Sequence, residues 1–83
     1  MEIGQDAPLR IIAGLPMYNE EETIGTVVTK ALDYVDEVIC VDDGSSDSSA
    51  RIAELCGATV LRHRVNRGYG GALKSLFAKA SEL

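Results

Sequence analysis

The sequence has no tryptophan, one phenylalanine and three tyrosines, so aromatics make up only 5% of its 83 residues. Its core must be built from aliphatic side chains, and any tyrosine near a turn stands out. Cysteine is equally scarce: Cys40 and Cys56 are the two, with neither CxxC nor metal-ligand spacing. In their apolar surroundings they read as reduced, small hydrophobes in preference to a disulfide or metal pair. Basic residues are outnumbered, eight against thirteen acidic ones, for a net charge of −5 and a pI near 4.6. That balance argues against non-specific nucleic-acid binding, which needs a basic face. No apolar run approaches the roughly 18–20 residues that span a bilayer. Nor does Met1–Asp6 carry a basic region followed by an apolar stretch. The expected location is the cytoplasm or, for a complete protein, the cytoplasmic face of a membrane.

Hydrophobic residues at 46% and charged residues at 25% are ordinary for a folded chain. Residues 1–83 fit one small domain. A chain of this length buries only about 60–65% of its unfolded surface, which leaves its stability marginal unless something helps it.

One theme recurs along the chain: an apolar run, a turn, then apolar residues at helical spacing. The first run, Leu9–Leu15, has a β-branched centre and is expected to be a strand closed by Pro16. Asn19 reads as a helix N-cap, with Glu20, Glu21 and Glu22 in the first turn and Glu22 completing a capping box. Ile24, Val27, Val28, Ala31, Leu32 and Val35 follow. The second run, Glu37–Asp42, is apolar almost throughout, as in a strand buried on both faces of a parallel sheet. Asp42-Asp43-Gly44-Ser45-Ser46 is turn chemistry, after which Asp47 or a neighbouring serine caps a second helix that Gly57 ends. The third unit runs from Ala58–Leu61 through Arg62, His63, Arg64 and Arg67 to Gly68-Tyr69-Gly70-Gly71. Ala72, Leu73, Leu76, Phe77 and Ala80 then recur at helical spacing. Three successive β-α units predict an α/β fold with a parallel sheet, one half of an open sheet. The last helical pattern runs to Leu83 with no cap glycine, and reads as a domain truncated at its C-terminus.

In open α/β sheets ligands bind beyond the carboxyl ends of the strands. Three loops fall there: 16–20, 42–46 and 66–71. Asp42 and Asp43 are adjacent carboxylates that either contact a nucleobase or metal, or bind turn N–H groups and cap the next helix. The glycine-rich segment fits neither the dinucleotide fingerprint nor the phosphate loop. It either cradles a phosphate beside Arg67 or serves a tight turn. Tyr18 is a stacking platform for a planar ligand, or it packs on the first helix. His63 has no Ser or Cys partner at a recognisable spacing and reads as a surface or strand-end histidine.

Three segments together resemble one family: Pro16-Met17-Tyr18-Asn19-Glu20-Glu21, Val41-Asp42-Asp43-Gly44-Ser45-Ser46-Asp47 and Asn66-Arg67-Gly68-Tyr69-Gly70-Gly71-Ala72. They resemble the N-terminal part of family-2 glycosyltransferases of the GT-A (Rossmann-like) fold, nearest the dolichyl-phosphate mannose and glucose synthase branch. The resemblance covers nearly everything from Leu9 onward. It implies that this segment binds the nucleoside of a nucleoside diphosphate sugar. Pro16, Tyr18 and Glu20 would line the base and ribose pocket, and Asp43 would accept a hydrogen bond from the base beside the Val41 backbone. Asp42, Asn66, Arg67 and Gly68 are left to the phosphate side or to structural roles. The family's metal-binding D-x-D and its general base lie further along than this chain extends. The resemblance therefore implies no metal in this chain, Mg²⁺ or Mn²⁺ only in the complete enzyme, and no transfer by these 83 residues alone.

The leading function is thus the donor-binding part of an enzyme that moves a sugar onto an acceptor such as a lipid phosphate. The alternative is a non-catalytic nucleotide-binding or oligomerisation module on the same half-fold. A phosphoacceptor receiver domain does not fit, because receivers carry their acidic pair after the first strand. In the family's sheet the first strand is flanked by the second and the fourth. Without a fourth, Leu9–Leu15 is an unpaired, β-branched edge, and a homo-oligomer through that edge or its flanking helices is expected.

Overall fold

A computed structural model describes residues 9–82; the reading of Met1–Asp6 lies outside them. Three β-α units alternate as β1 (Ile12–Met17), α1 (Ile24–Ala31), β2 (Glu37–Asp42), α2 (Ser49–Leu55), β3 (Thr59–Arg62) and α3 (Gly68–Ala80). The strands form one parallel sheet in the order β1-β2-β3. The α/β class and parallel sheet are those the sequence predicts.

Strand alternation divides the core into two layers. Ala13, Leu15 and Met17 of β1, Val38 and Cys40 of β2 and Val60 of β3 face α1 and α2. Ile12, Ile39, Val41 and Leu61 face α3. The third helix therefore lies on the opposite side of the sheet from the first two. The central strand is sealed on both faces, with Val38, Ile39, Cys40 and Val41 all at 0% exposure. Burial, with the nearby Glu20 and Asp42 charges adding to it, pushes the Cys40 thiol up to about 11. Both cysteines are free. Gly14 lets α3 approach β1 closely: a Cβ there would lie 2.3 Å from Cδ2 of Leu76.

Several local expectations are corrected. The first strand is displaced along the chain from Leu9–Leu15, and Pro16 lies inside it, paired with Val41. The carbonyls of Ile11 and Met17 accept hydrogen bonds from the β2 side, from Asp36 and Asp43 N–H respectively. Parallel alternation then turns the Pro16 nitrogen to the open edge of β1, where no ladder donor is required. The third strand likewise starts at Thr59 and extends to Arg62. Asn19 caps no helix: α1 starts at Ile24 after Thr23, with no acidic residue in its first turn, so the capping box is absent. The glycine-rich segment is not a loop but the first turn of α3. Phe77, placed on its core face by spacing, is 70% exposed. Gly57 does end α2, at φ +107°. Its N–H donates to the Glu54 carbonyl and that of Ala58 to the Ala53 carbonyl, the paired bonds of a Schellman ending. No described helix is long and apolar enough to cross a membrane.

Candidate functional site

The loops after β1 and β2 bind each other. Asn19 adopts φ +51°, which brings its Oδ1 to the Ser46 N–H at 2.9 Å, while its own N–H donates to Ser45 Oγ at 2.8 Å. The Glu20 N–H donates to Ser49 Oγ, and the Ser48 N–H donates to Glu21 Oε1 at 2.9 Å. Asp47 accepts from the Glu21 N–H and from the N–H and hydroxyl of Ser49. Desolvation raises the Asp47 carboxyl, but these hydrogen bonds, led by that from the Ser49 hydroxyl, hold it below its ordinary value. The acidic and serine residues that look like two helix caps are mostly this clasp.

Sheet register separates the adjacent carboxylates. Asp42 pairs with Arg62 and points to the α1/α2 face, 1% exposed. It accepts from the Ser45 N–H at 3.1 Å and lies 3.5 Å from Arg62 Nε. One residue later the ladder persists, with the Asp43 N–H on the Met17 carbonyl and the His63 N–H on that of Asp42. Asp43 and His63 therefore meet on the α3 face. Asp43 Oδ1 accepts from the Arg67 N–H at 2.8 Å and from His63 Nδ1 at 2.9 Å, and Oδ2 accepts from the Gly68 N–H at 2.9 Å. The Arg67 N–H foremost, then the His63 hydrogen bond, keeps the Asp43 carboxyl below its ordinary 3.8. One carboxylate thus secures the N-terminus of α3 to the end of β2.

His63 directly follows the end of β3, as the strand-end reading has it, but at 8% exposure it is buried and not a surface residue. Its Nε2 lies 2.7 Å from Ser75 Oγ, so a partner does exist, twelve residues on. The Asp43–His63–Ser75 order matches that of a nucleophile triad, yet Ser75 lies inside α3. The neighbouring N–H groups serve the helix ladder and none is free to stabilise an oxyanion.

A cavity of about 300 Å³ opens between the end of β1 and the first turn of α3, lined by Pro16, Met17, Tyr18, Glu20, Asp43, Tyr69 and Ala72. That volume is at the lower end of small-molecule sites. Tyr18 is half-exposed and Tyr69 is exposed, while Asp43 presents its carboxylate between two strand ends. The structure brings four of the sequence-derived residues together here: Pro16, Tyr18, Glu20 and Asp43. The Val41 side chain is buried beneath, against α3, and only its backbone runs beside Pro16. Asn66, Arg67 and Gly68 form the entry to α3, where Asn66 Oδ1 accepts from the Gly68 N–H. Sequence reasoning missed Met17, Ala72 and above all Tyr69. An aromatic residue placed between glycines at a helix start was the available signal. A second hollow, along Asn19–Thr23 and Asp47, is lined by four carboxylates and no aromatic ring, a poor match for a phosphate-bearing ligand. Among the described residues no three His, Cys, Asp or Glu side chains cluster to hold a metal.

Three parallel strands, with α3 on the face opposite α1 and α2 and a pocket at the strand ends, make an α/β unit that solved sugar transferases share. The crystal structure of Mycobacterium tuberculosis glucosyl-3-phosphoglycerate synthase aligns with a TM-score of 0.72 at 34% identity, covering 84% of this chain and 30% of that one. Another structure of that synthase, holding Mn²⁺, uridine-diphosphate-glucose and phosphoglyceric acid, aligns at 0.62 with 37% identity, over 77% of this chain and 27% of that one. The Glycosyl transferase family 2 pattern matches residues 13–82. This chain belongs to that family. Human dolichyl-phosphate beta-glucosyltransferase is 31% identical over 97 residues, 93% of this chain and 30% of that protein. The undecaprenyl-phosphate 4-deoxy-4-formamido-L-arabinose transferase of Serratia proteamaculans is 41% identical over 66 residues, 68% of this chain and 20% of that protein. The chain spans a fifth to a third of the length of these relatives.

Proposed function

We propose that the pocket between β1 and α3 binds the base and ribose of a nucleoside diphosphate sugar, the donor of a glycosyl transfer. The observation that carries this reading is the convergence of Pro16, Tyr18, Glu20 and Asp43 on one strand-end cavity in a chain of this family. Tyr18 offers a face for stacking, and Asp43 offers an acceptor to a ring N–H. Uridine diphosphate is the natural probe, because the related synthase has been crystallised with it. The whole protein would pass the sugar to an acceptor such as a lipid phosphate, as the names of its relatives suggest. Asp42 and Asp43 are both committed to backbone and side-chain partners, so these residues do not fit a divalent metal. Mg²⁺ or Mn²⁺ chemistry is assigned to the complete enzyme, and the isolated chain is expected to transfer no sugar.

The test is calorimetry of the purified chain with uridine diphosphate, without metal. Binding is expected, and Tyr18→Ala should weaken it about fivefold or more, since a base stacked on an aromatic ring is worth about 1–3 kcal/mol. No heat at millimolar nucleotide, or equal affinity for Tyr18→Ala, overturns the reading. Asp43→Ala is a poor probe of binding, because it also frees α3. Self-association through the edge of β1 belongs to the same proposal. Ile11 is 54% exposed there, and the inward bonds of Ile11 and Met17 leave the Ile12 and Gly14 N–H groups on the open side. Light scattering at tens of micromolar should show a dimer or larger species; a monodisperse monomer contradicts it.

A further inference from the structure

We propose that His63 is a positioning residue for the nucleotide pocket, a role that rests on the binding function proposed above. The carboxylate of Asp43 accepts two backbone N–H groups and is ionised, so it has no proton to give. The 2.9 Å contact with His63 Nδ1 therefore has only one sense: Nδ1–H donates to Oδ1. In the neutral ring Nε2 is then the acceptor, and the Ser75 hydroxyl, 2.7 Å away, donates to it. Asp43 thus fixes the tautomer, and the Ser75 hydroxyl, able to donate or accept, accommodates it.

The consequence for the pocket follows from counting lone pairs. Oδ1 accepts from Arg67 N–H and His63 Nδ1–H and is saturated. Oδ2 accepts only from Gly68 N–H and keeps one site. Asp43 lines the pocket, so the carboxylate can offer a ligand a single acceptor of fixed direction. Without the His63 bond, only the Arg67 and Gly68 N–H groups hold the carboxylate, Oδ1 regains a free acceptor site, and the direction offered to a ligand is no longer single. Pro16 on β1 and Tyr18 just after it would be unaffected.

Two substitutions separate this role from simple filling of space. His63→Asn places an amide N–H where Nδ1 stands and keeps the bond to Asp43. His63→Gln reaches toward Ser75 and loses that bond. Calorimetry with uridine diphosphate is expected to show His63→Asn within about threefold of the unmodified chain and His63→Gln weaker by about tenfold, the scale of a hydrogen bond to a charged group. Equal affinities for the two variants, whether retained or lost, overturn the proposal. Nitrogen-15 NMR of the unmodified chain near neutral pH provides an arm that needs neither variant nor nucleotide. A protonated Nδ1 is expected, and a bare Nδ1 overturns the assignment. Failure of the unmodified chain to bind nucleotide would instead strike the binding function, leaving the tautomer to be decided by NMR.

Discussion

The two attachments at the top of the sheet are built differently. The loops after β1 and β2 are joined by many reciprocal bonds, from Asn19, Glu20 and Glu21 on one side to Ser45, Ser46, Asp47, Ser48 and Ser49 on the other. The start of α3 is joined to the sheet end through a single carboxylate, Asp43, which serves Arg67, Gly68 and His63 at once. The first arrangement is redundant and tolerates loss of a member. The second concentrates its function in one group, and that group also lines the pocket. Structure and binding are therefore coupled at α3 and separable at the clasp.

The largest effect should come from Asp43→Ala, which leaves the buried His63 Nδ1 and the Arg67 N–H without their partner and the Gly68 N–H with Asn66 Oδ1 alone. It should lower the melting temperature more than any clasp substitution, and exchange of the Arg67 and Gly68 amides should accelerate while that of Ser46 and Ser48 does not. Next is Gly14→Val. Its Cβ would meet Leu76 at 2.3 Å, and the overpacking should cost about 1–3 kcal/mol in denaturant unfolding by displacing α3.

Acid should act in the same direction. The folded-state carboxyl of Asp43 titrates below its ordinary 3.8, so its contribution is present above that value and is lost as pH falls through the folded one. Stability measured from pH 5 downward should fall, and Asp43→Asn should flatten that fall, because its amide does not titrate. The smallest effect belongs to the clasp: Asn19→Ala should cost only about 1 kcal/mol, the two exposed bonds of its Oδ1 to Ser46 among several in the clasp, read from the same denaturant midpoints.

What could be read from the sequence follows the range of the interactions. The sealed strand β2 is evident because burial on both faces writes a continuous apolar run. The three β-α units and strand-end loops follow from the same patterning. Asn19 misleads because its partner, Ser46, is 27 residues away, and a local reading assigns its side chain to the nearest helix instead. Pro16 seems to close a strand, although on an edge its missing N–H costs no ladder bond. The His63–Asp43 contact depends on the register of β2 with β3, which composition does not contain. Tyr69 lines the pocket only because the glycine-rich segment forms the first turn of α3.

Hydrogen–deuterium exchange with and without uridine diphosphate bears most directly on the double role of Asp43. Nucleotide at saturating concentration should slow exchange of the Arg67 and Gly68 amides, which share the carboxylate that meets the base, and leave those of Ser46 and Ser48 unchanged. Unaltered Arg67 and Gly68 exchange in the bound state, or protection confined to the clasp, would contradict the coupling of the pocket to α3 through Asp43.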